Sequence, residues 1–239
     1  MSKGRGAKGG QAGGEASPAD VAAIVAGTHG DAFSVLGLHG AGDRLLARCF
    51  IPGAERVTAF TLDGEDVGEL SRRDPAGFFE GPVAVTDRRP LRYEAANAEA
   101  SWRLTDPYSF GPVLGPMDDY YMGEGSHLRL FDKLGAHMIR HEGADGAHFA
   151  VWAPNARRVS VVGDWNAWDG RRNPMRRRAD SGIWEIFIPD IGEGRPYKFE
   201  IIGRAGAVLP LKADPFAFRS ELRPATASVV ERNPTHEWG

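Results

Sequence analysis

From residue 33 onward, apolar and polar positions alternate with a period of two, the mark of strands with one buried face. Leu45, Ala47, Cys49 and Ile51 form one such row, and Thr58, Phe60 and Leu62 another. Pro52-Gly53 and Asp63-Gly64 supply turns between them. Further strands are expected at 78–85, 90–96 and 100–104. A connector rich in glycine, proline and tyrosine follows, and Ser126 is placed to cap a short helical turn through Phe131. The rhythm then resumes with Phe149 and Val151, Val159 and Val161, then Trp184, Ile186 and Ile188, and last Tyr197, Phe199 and Ile201. Short strands at even spacing predict antiparallel β-sandwiches. Before this region, Ser17 caps, Pro18 opens and Asp20 supports a short helix over Val21–Thr28 that stops near Gly30.

The two halves repeat each other. Residues 51–57 (IPGAERV) match 153–159 (APNARRV), and GFFE at 77–80 recurs as GIWE at 182–185. LRYE at 91–94 recurs as RPYK at 195–198, and DPYSF at 106–110 as DPFAF at 214–218. Order and spacing are both kept, so two domains of one architecture are expected rather than a solenoid. The copies diverge after their second strand. The first reads TLDGED at 61–66, whereas the second carries GDWNAWDGR at 163–171.

Composition narrows the class. The 239 residues suit two domains of ordinary size, with 42% hydrophobic and 26% charged residues. A net charge of −3 argues against general attraction to nucleic acid or anionic membranes, and no apolar run approaches the ~20 residues of a membrane span. Cys49, the single cysteine, is read as a small core residue, and a cytoplasmic location follows as the default. Residues 1–16 hold six glycines and no large apolar side chain, which predicts a flexible tail.

The loop at 163–171 is the candidate site. Two tryptophans, an asparagine and two aspartates suit a flat, hydroxylated ligand. For Trp165 and Asn166 the competing reading weighs heavily: the indole packs under the turn and the amide satisfies local backbone groups. Trp168, beside Asp169-Gly170, is the better platform. Stacking a sugar ring on one indole is worth roughly 1.5–2 kcal/mol at ~25 cal/mol/Å², which gives weak binding unless it is tethered. Lys198 alternates with Tyr197 and Phe199, so it lies on the outer face within reach of a ligand. The basic run at 175–178 is read as a solvated hairpin, since acidic residues lie close to it. His137 and His141 have i, i+4 spacing but no helix beneath them, so neither a metal nor a cofactor is expected. There is no nucleophile elbow, phosphate loop or dinucleotide pattern, and nothing singles out a pair of catalytic carboxylates.

FSVLGLH at 33–39, DPYSFG at 106–111, LGAH at 134–137, VWAPNARRV at 151–159, the 163–172 loop, SGIWE at 181–185 and RPATAS at 223–228 together resemble the N-terminal region of bacterial glycogen (1,4-α-glucan) branching enzymes. The resemblance implies an all-β chain of two tandem antiparallel immunoglobulin-like β-sandwiches with a short N-terminal helix. Its parts are a tail (1–16), a first sandwich (17–110), a connector (111–135), a family 48 carbohydrate-binding sandwich (136–232) and the start of a catalytic barrel (233–239). In such modules the residues matching Trp168 and Lys198 contact glucan, and a second tryptophan follows the lysine strand, but 202–208 (IGRAGAV) offers none. The family's catalytic residues lie in the barrel, so the chain is read as a fragment without a catalytic residue, inactive alone. The expected partners are α-1,4-glucan or glycogen and the enzyme's own barrel, with no nucleic acid or membrane. The expected function is to position glucan for α-1,6 branch formation. The alternative is a non-enzymatic glycogen-targeting scaffold.

Overall fold

The computed structural model describes residues 14–178 and 181–232. The expected tail up to residue 13 and the expected barrel start at 233–239 lie outside them. Residues 14–16 are held against the first sandwich: Ala16 is buried, and its amide donates to Glu80 at 2.8 Å.

Helix α1 (Pro18–Val25) begins where the capping residues place it. The Ser17 hydroxyl accepts from the Asp20 amide at 3.1 Å, and Val21 and Ile24 are the buried pair. The first sandwich comprises β1 (Gly37–Ala41), β2 (Arg44–Phe50), β3 (Arg56–Thr61), β4 (Asp66–Asp74), β5 (Phe78–Val83), β6 (Leu91–Ala96) and β7 (Ser101–Thr105). They form one antiparallel sheet in the order β1-β2-β5-β4-β3-β6-β7. Strand β4 pairs with β3 through its first half and with β5 through its second, and the register shifts in both ladders. Such irregularities bend a sheet, so its two wings enclose a core that includes Ala47, Val57, Phe79 and Tyr93. Cys49 is in that core, where burial pushes its thiol pKa up.

The connector holds a helix that the apolar pattern did not announce, α2 (Pro116–Glu124). None of its residues is buried, so no apolar stripe marks it. Pro116 opens it and Gly125 ends it in the left-handed conformation. Helical turn also appears at Leu130–Asp132, near the expected place.

The second sandwich comprises β8 (Gly135–His141), β9 (Ala144–Trp152), β10 (Arg158–Gly163), β11 (Arg176–Arg178), β12 (Ile183–Pro189), β13 (Pro196–Ile202), β14 (Arg219–Ser220) and β15 (Ser228–Val229). Its two antiparallel four-stranded sheets run β11-β12-β9-β8 and β10-β13-β15-β14. Phe149, Trp184, Tyr197 and Phe199 lie between them. The same apolar cluster continues through Val21, Ile24, Phe50, Phe78 and Tyr108, so α1 and the first sandwich pack on the second through shared core.

The expected solvated hairpin at 175–178 is a structural junction instead. Met175 is buried. The Arg176 guanidinium stacks on Phe33 at 4.0 Å and donates to the Phe110 carbonyl, while Arg178 pairs with Asp119 and Glu185. Arginine suits this task because its planar head stacks and bridges carbonyls at once. Tyr108 and Phe110, at the end of the first sandwich, are buried by this junction, whereas Tyr120 and Tyr121 in the connector stay exposed.

Candidate functional site

Strands β10 and β13 lie side by side, with Val162 opposite Lys198 and Ser160 opposite Glu200. Tyr197 and Phe199 enter the core, so Lys198 and Glu200 share the opposite face. The chain leaving β10 turns through Asp164–Asn166 and is then fixed by one side chain. The Asn166 carbonyl accepts from the Gly163 amide at 3.0 Å, and its amide group donates to the Val161 carbonyl and to Asn173 at 2.9 and 2.8 Å. Ala167 and Trp168 then both adopt positive φ, 56° and 57°. Two consecutive non-glycine residues in this region cost on the order of 1–3 kcal/mol each. The Trp168 amide is tied back to the Gly163 carbonyl at 2.9 Å.

This reversal leaves Trp168 38% exposed. Gly170 then brings the backbone down onto the outer face of β13, where a Cβ would overlap the Glu200 carboxylate. The loop tip therefore lies over the face that carries Lys198, two residues along the same strand. The Lys198 ammonium donates to the Thr226 hydroxyl at 2.7 Å, so its head is held at the surface. Asp169 folds back onto Arg171: partial burial raises its carboxyl, and the hydrogen bonds from Arg171 outweigh that and hold it below the usual range.

Trp165 and Asn166 do not belong to this surface. Trp165 stacks on Phe149 with ring centroids 5.8 Å apart and packs against the core. Asn166 is 2% exposed and spends its amide on the loop itself. A buried amide with its groups already paired has nothing left to offer a ligand. Trp168 and Lys198 thus lie at the surface, with Thr226 beside the lysine, whereas Trp165 packs on the core and Asn166 is engaged within the loop. A lone threonine in a polar segment gives no signal of its own; only the fold brings it to Lys198.

The two histidines with helical spacing lie on β8 and are engaged separately, His137 with the Leu134 carbonyl and His141 with the Gly111 carbonyl. Among the described residues no group of three His, Cys, Asp or Glu side chains is placed to hold a metal. No helix among them is long and apolar enough to cross a membrane.

Comparison with known proteins bears on both halves. Residues 17–108 match the family model of the alpha-1,4-glucan branching enzyme GlgB N-terminal domain, and residues 133–217 match that of carbohydrate-binding module 48, the isoamylase N-terminal domain. The chain is similar to 1,4-alpha-glucan branching enzyme GlgB of Mesorhizobium japonicum, 73% identical over 95% of this chain and 31% of that protein. It is likewise similar to the enzyme of that name from Rhizobium meliloti, 64% identical over 92% of this chain and 30% of that protein. The chain thus spans under a third of the length of these relatives.

Proposed function

The chain belongs, through residues 17–108, to the GlgB N-terminal-domain family and, through residues 133–217, to carbohydrate-binding module family 48; from that premise we propose that it is the glucan-positioning region of a glycogen branching enzyme. That enzyme transfers α-1,4-glucan segments to form α-1,6 branches in the cytoplasm, and its chemistry belongs to the part of the relatives beyond the span matched here. The observation that carries the reading is Trp168: an exposed indole held at positive φ on a rigid turn, above the strand face of a surface-held lysine. A pyranose stacks its apolar face on the indole while Lys198 and Thr226 hydrogen-bond its hydroxyls. One platform of this size supports weak binding, useful when the chemistry is tethered close by. The names of the relatives weigh against a non-enzymatic scaffold.

The connector supports the same reading. Tyr120 and Tyr121 on α2, with Leu128 and Phe131 after it, present exposed apolar side chains. The rest of the enzyme is the partner we propose for them.

The test is Trp168→Ala. Affinity for glycogen or maltooligosaccharides falls by roughly 1.5–2 kcal/mol, about ten- to thirty-fold, with the melting temperature nearly unchanged. Affinity electrophoresis in glycogen gels, beside a thermal melt, reads both. A destabilised variant that migrates like the parent would reject the platform.

A further inference from the structure

Between the two sandwiches lies a cleft of about 270 Å³ that the Trp168 surface does not include. Trp102, Leu104 and Thr105 of β7 line it from one side, and Trp165, Arg172 and Asp190 from the other. Three features set it apart from ordinary packing space. The indole nitrogen of Trp165 is buried with no acceptor among the described residues, although such donors nearly always find one. The half-buried Arg172 guanidinium makes no hydrogen bond to a described carboxylate and feels Asp169 only through space. Asp190 stands at φ 63°, and one of its oxygens accepts from Thr105 at 2.7 Å across the domain junction, which leaves the other for a ligand.

We propose that this cleft is a second saccharide site that receives a single pyranose at the end of an α-glucan chain. Its chemistry points to a neutral polyol with an apolar face. Unpaired donors on Trp165 and Arg172 and an open acceptor on Asp190 match hydroxyls, which both give and accept hydrogen bonds. Trp102 and Leu104 match the ring's C–H face. Larger ligands occupy pockets of ~300–1,000 Å³, so this one accommodates one ring rather than a run of chain. The site leans on the proposed function only for the choice of sugar; Trp168 plays no part in it.

The experiment is an NMR titration of the chain with ¹⁵N-labelled indoles, using maltotriose, which has chain ends, and β-cyclodextrin, which has none. Trp165→Phe, which keeps the packed ring and removes only the N–H, assigns the Trp165 signal, and a thermal melt checks its fold. Maltotriose should shift the Trp165 signal in the parent and equally in Trp168→Ala, while β-cyclodextrin shifts the Trp168 signal alone. In the Trp168→Ala background, Trp165→Phe and Arg172→Gln should each weaken maltotriose binding about five-fold. A Trp165 signal that stays still at saturating maltotriose, or that moves only while Trp168 is present, would overturn the cleft site and leave the platform intact. A silent Trp168 signal with a shifting Trp165 signal would reject the platform and leave the cleft.

Discussion

The two sandwiches share a skeleton of hydrogen bonds and differ where a ligand would be met. His39 reaches the Leu36 carbonyl as His137 reaches the Leu134 carbonyl, both at 2.9 Å. Tyr93 donates to Asp106 as Tyr197 donates to Asp214, at 3.2 and 2.6 Å. Gly37 packs under the Tyr108 backbone at φ 90°, and Gly135 under the Phe216 backbone at φ 102°. Even the loop bonds recur, Ile51 to Gly77 and Ala153 to Gly182. The hairpins do not. After β3 the chain closes tightly, with the Thr61 amide bonded to the Glu65 carbonyl, whereas after β10 it makes the long excursion that carries Trp168. At the position of Lys198 the first sandwich has Glu94, paired with Arg103. A duplicated frame thus keeps what holds strands in register and varies the loop that meets solvent.

The largest test of the shared skeleton is pH. Burial raises the Asp106 carboxyl to about 7, above its ordinary 3.8. Between these values the folded protein binds a proton that the unfolded chain has released, so stability falls as pH rises from about 4 to about 7 and is level above that. At ~1.4 kcal/mol per pH unit, the fall over these roughly three units is on the order of 4 kcal/mol. Asp106→Asn should flatten this part of a urea-denaturation pH profile. Burial also raises Asp214, and Asp214→Asn should act in the same direction. An effect at only one of the two would break the equivalence.

Next come the glycines. Gly37→Ala places a Cβ on the Tyr108 carbonyl at a left-handed φ, and about 2–3 kcal/mol of stability should be lost. At Gly135 the Cβ would stand 3.0 Å from the Phe216 carbonyl oxygen, so Gly135→Ala should cost somewhat less. Chemical denaturation measures both, and a neutral result at either would show that the turn is not shared.

The smallest effect sharpens the difference. Lys198→Glu, which installs the residue type of the first sandwich, should weaken maltooligosaccharide binding about five-fold, or ~1 kcal/mol, without loss of stability. Glu94→Lys should confer no binding, because the 61–66 turn of the first sandwich carries no tryptophan. Calorimetric titration of both variants tests this; a gain with Glu94→Lys would mean that the lysine alone makes the site.

Strand periodicity, turn residues and the internal repeat were legible along the chain, because each is a local or short-period property. The buried face of β3, however, was misassigned: it is Val57, Ala59 and Thr61, not Thr58, Phe60 and Leu62, because small residues there fit the tight space between the two wings. The strands expected at 78–85, 90–96 and 100–104 appear at 78–83, 91–96 and 101–105, and Ser17 caps the helix it was expected to cap. Helix α2 was not legible, since a helix without a buried face writes no stripe. The basic run at 176–178 looked solvated because sequence shows its neighbours in the chain and not Phe33, Phe110 and Asp119, which reach it from far away.

The site divides in the same way. The sequence by itself determined that a polar, aromatic loop follows the second strand of the second repeat and that Lys198 faces away from the core. Only the tertiary structure decided which of Trp165 and Trp168, three residues apart in that loop, is packed and which is exposed. One stacks on Phe149 and the other stands at positive φ in solvent. Residue type sets how much an indole gains from burial, but which indole is buried depends on what the rest of the chain brings up against it.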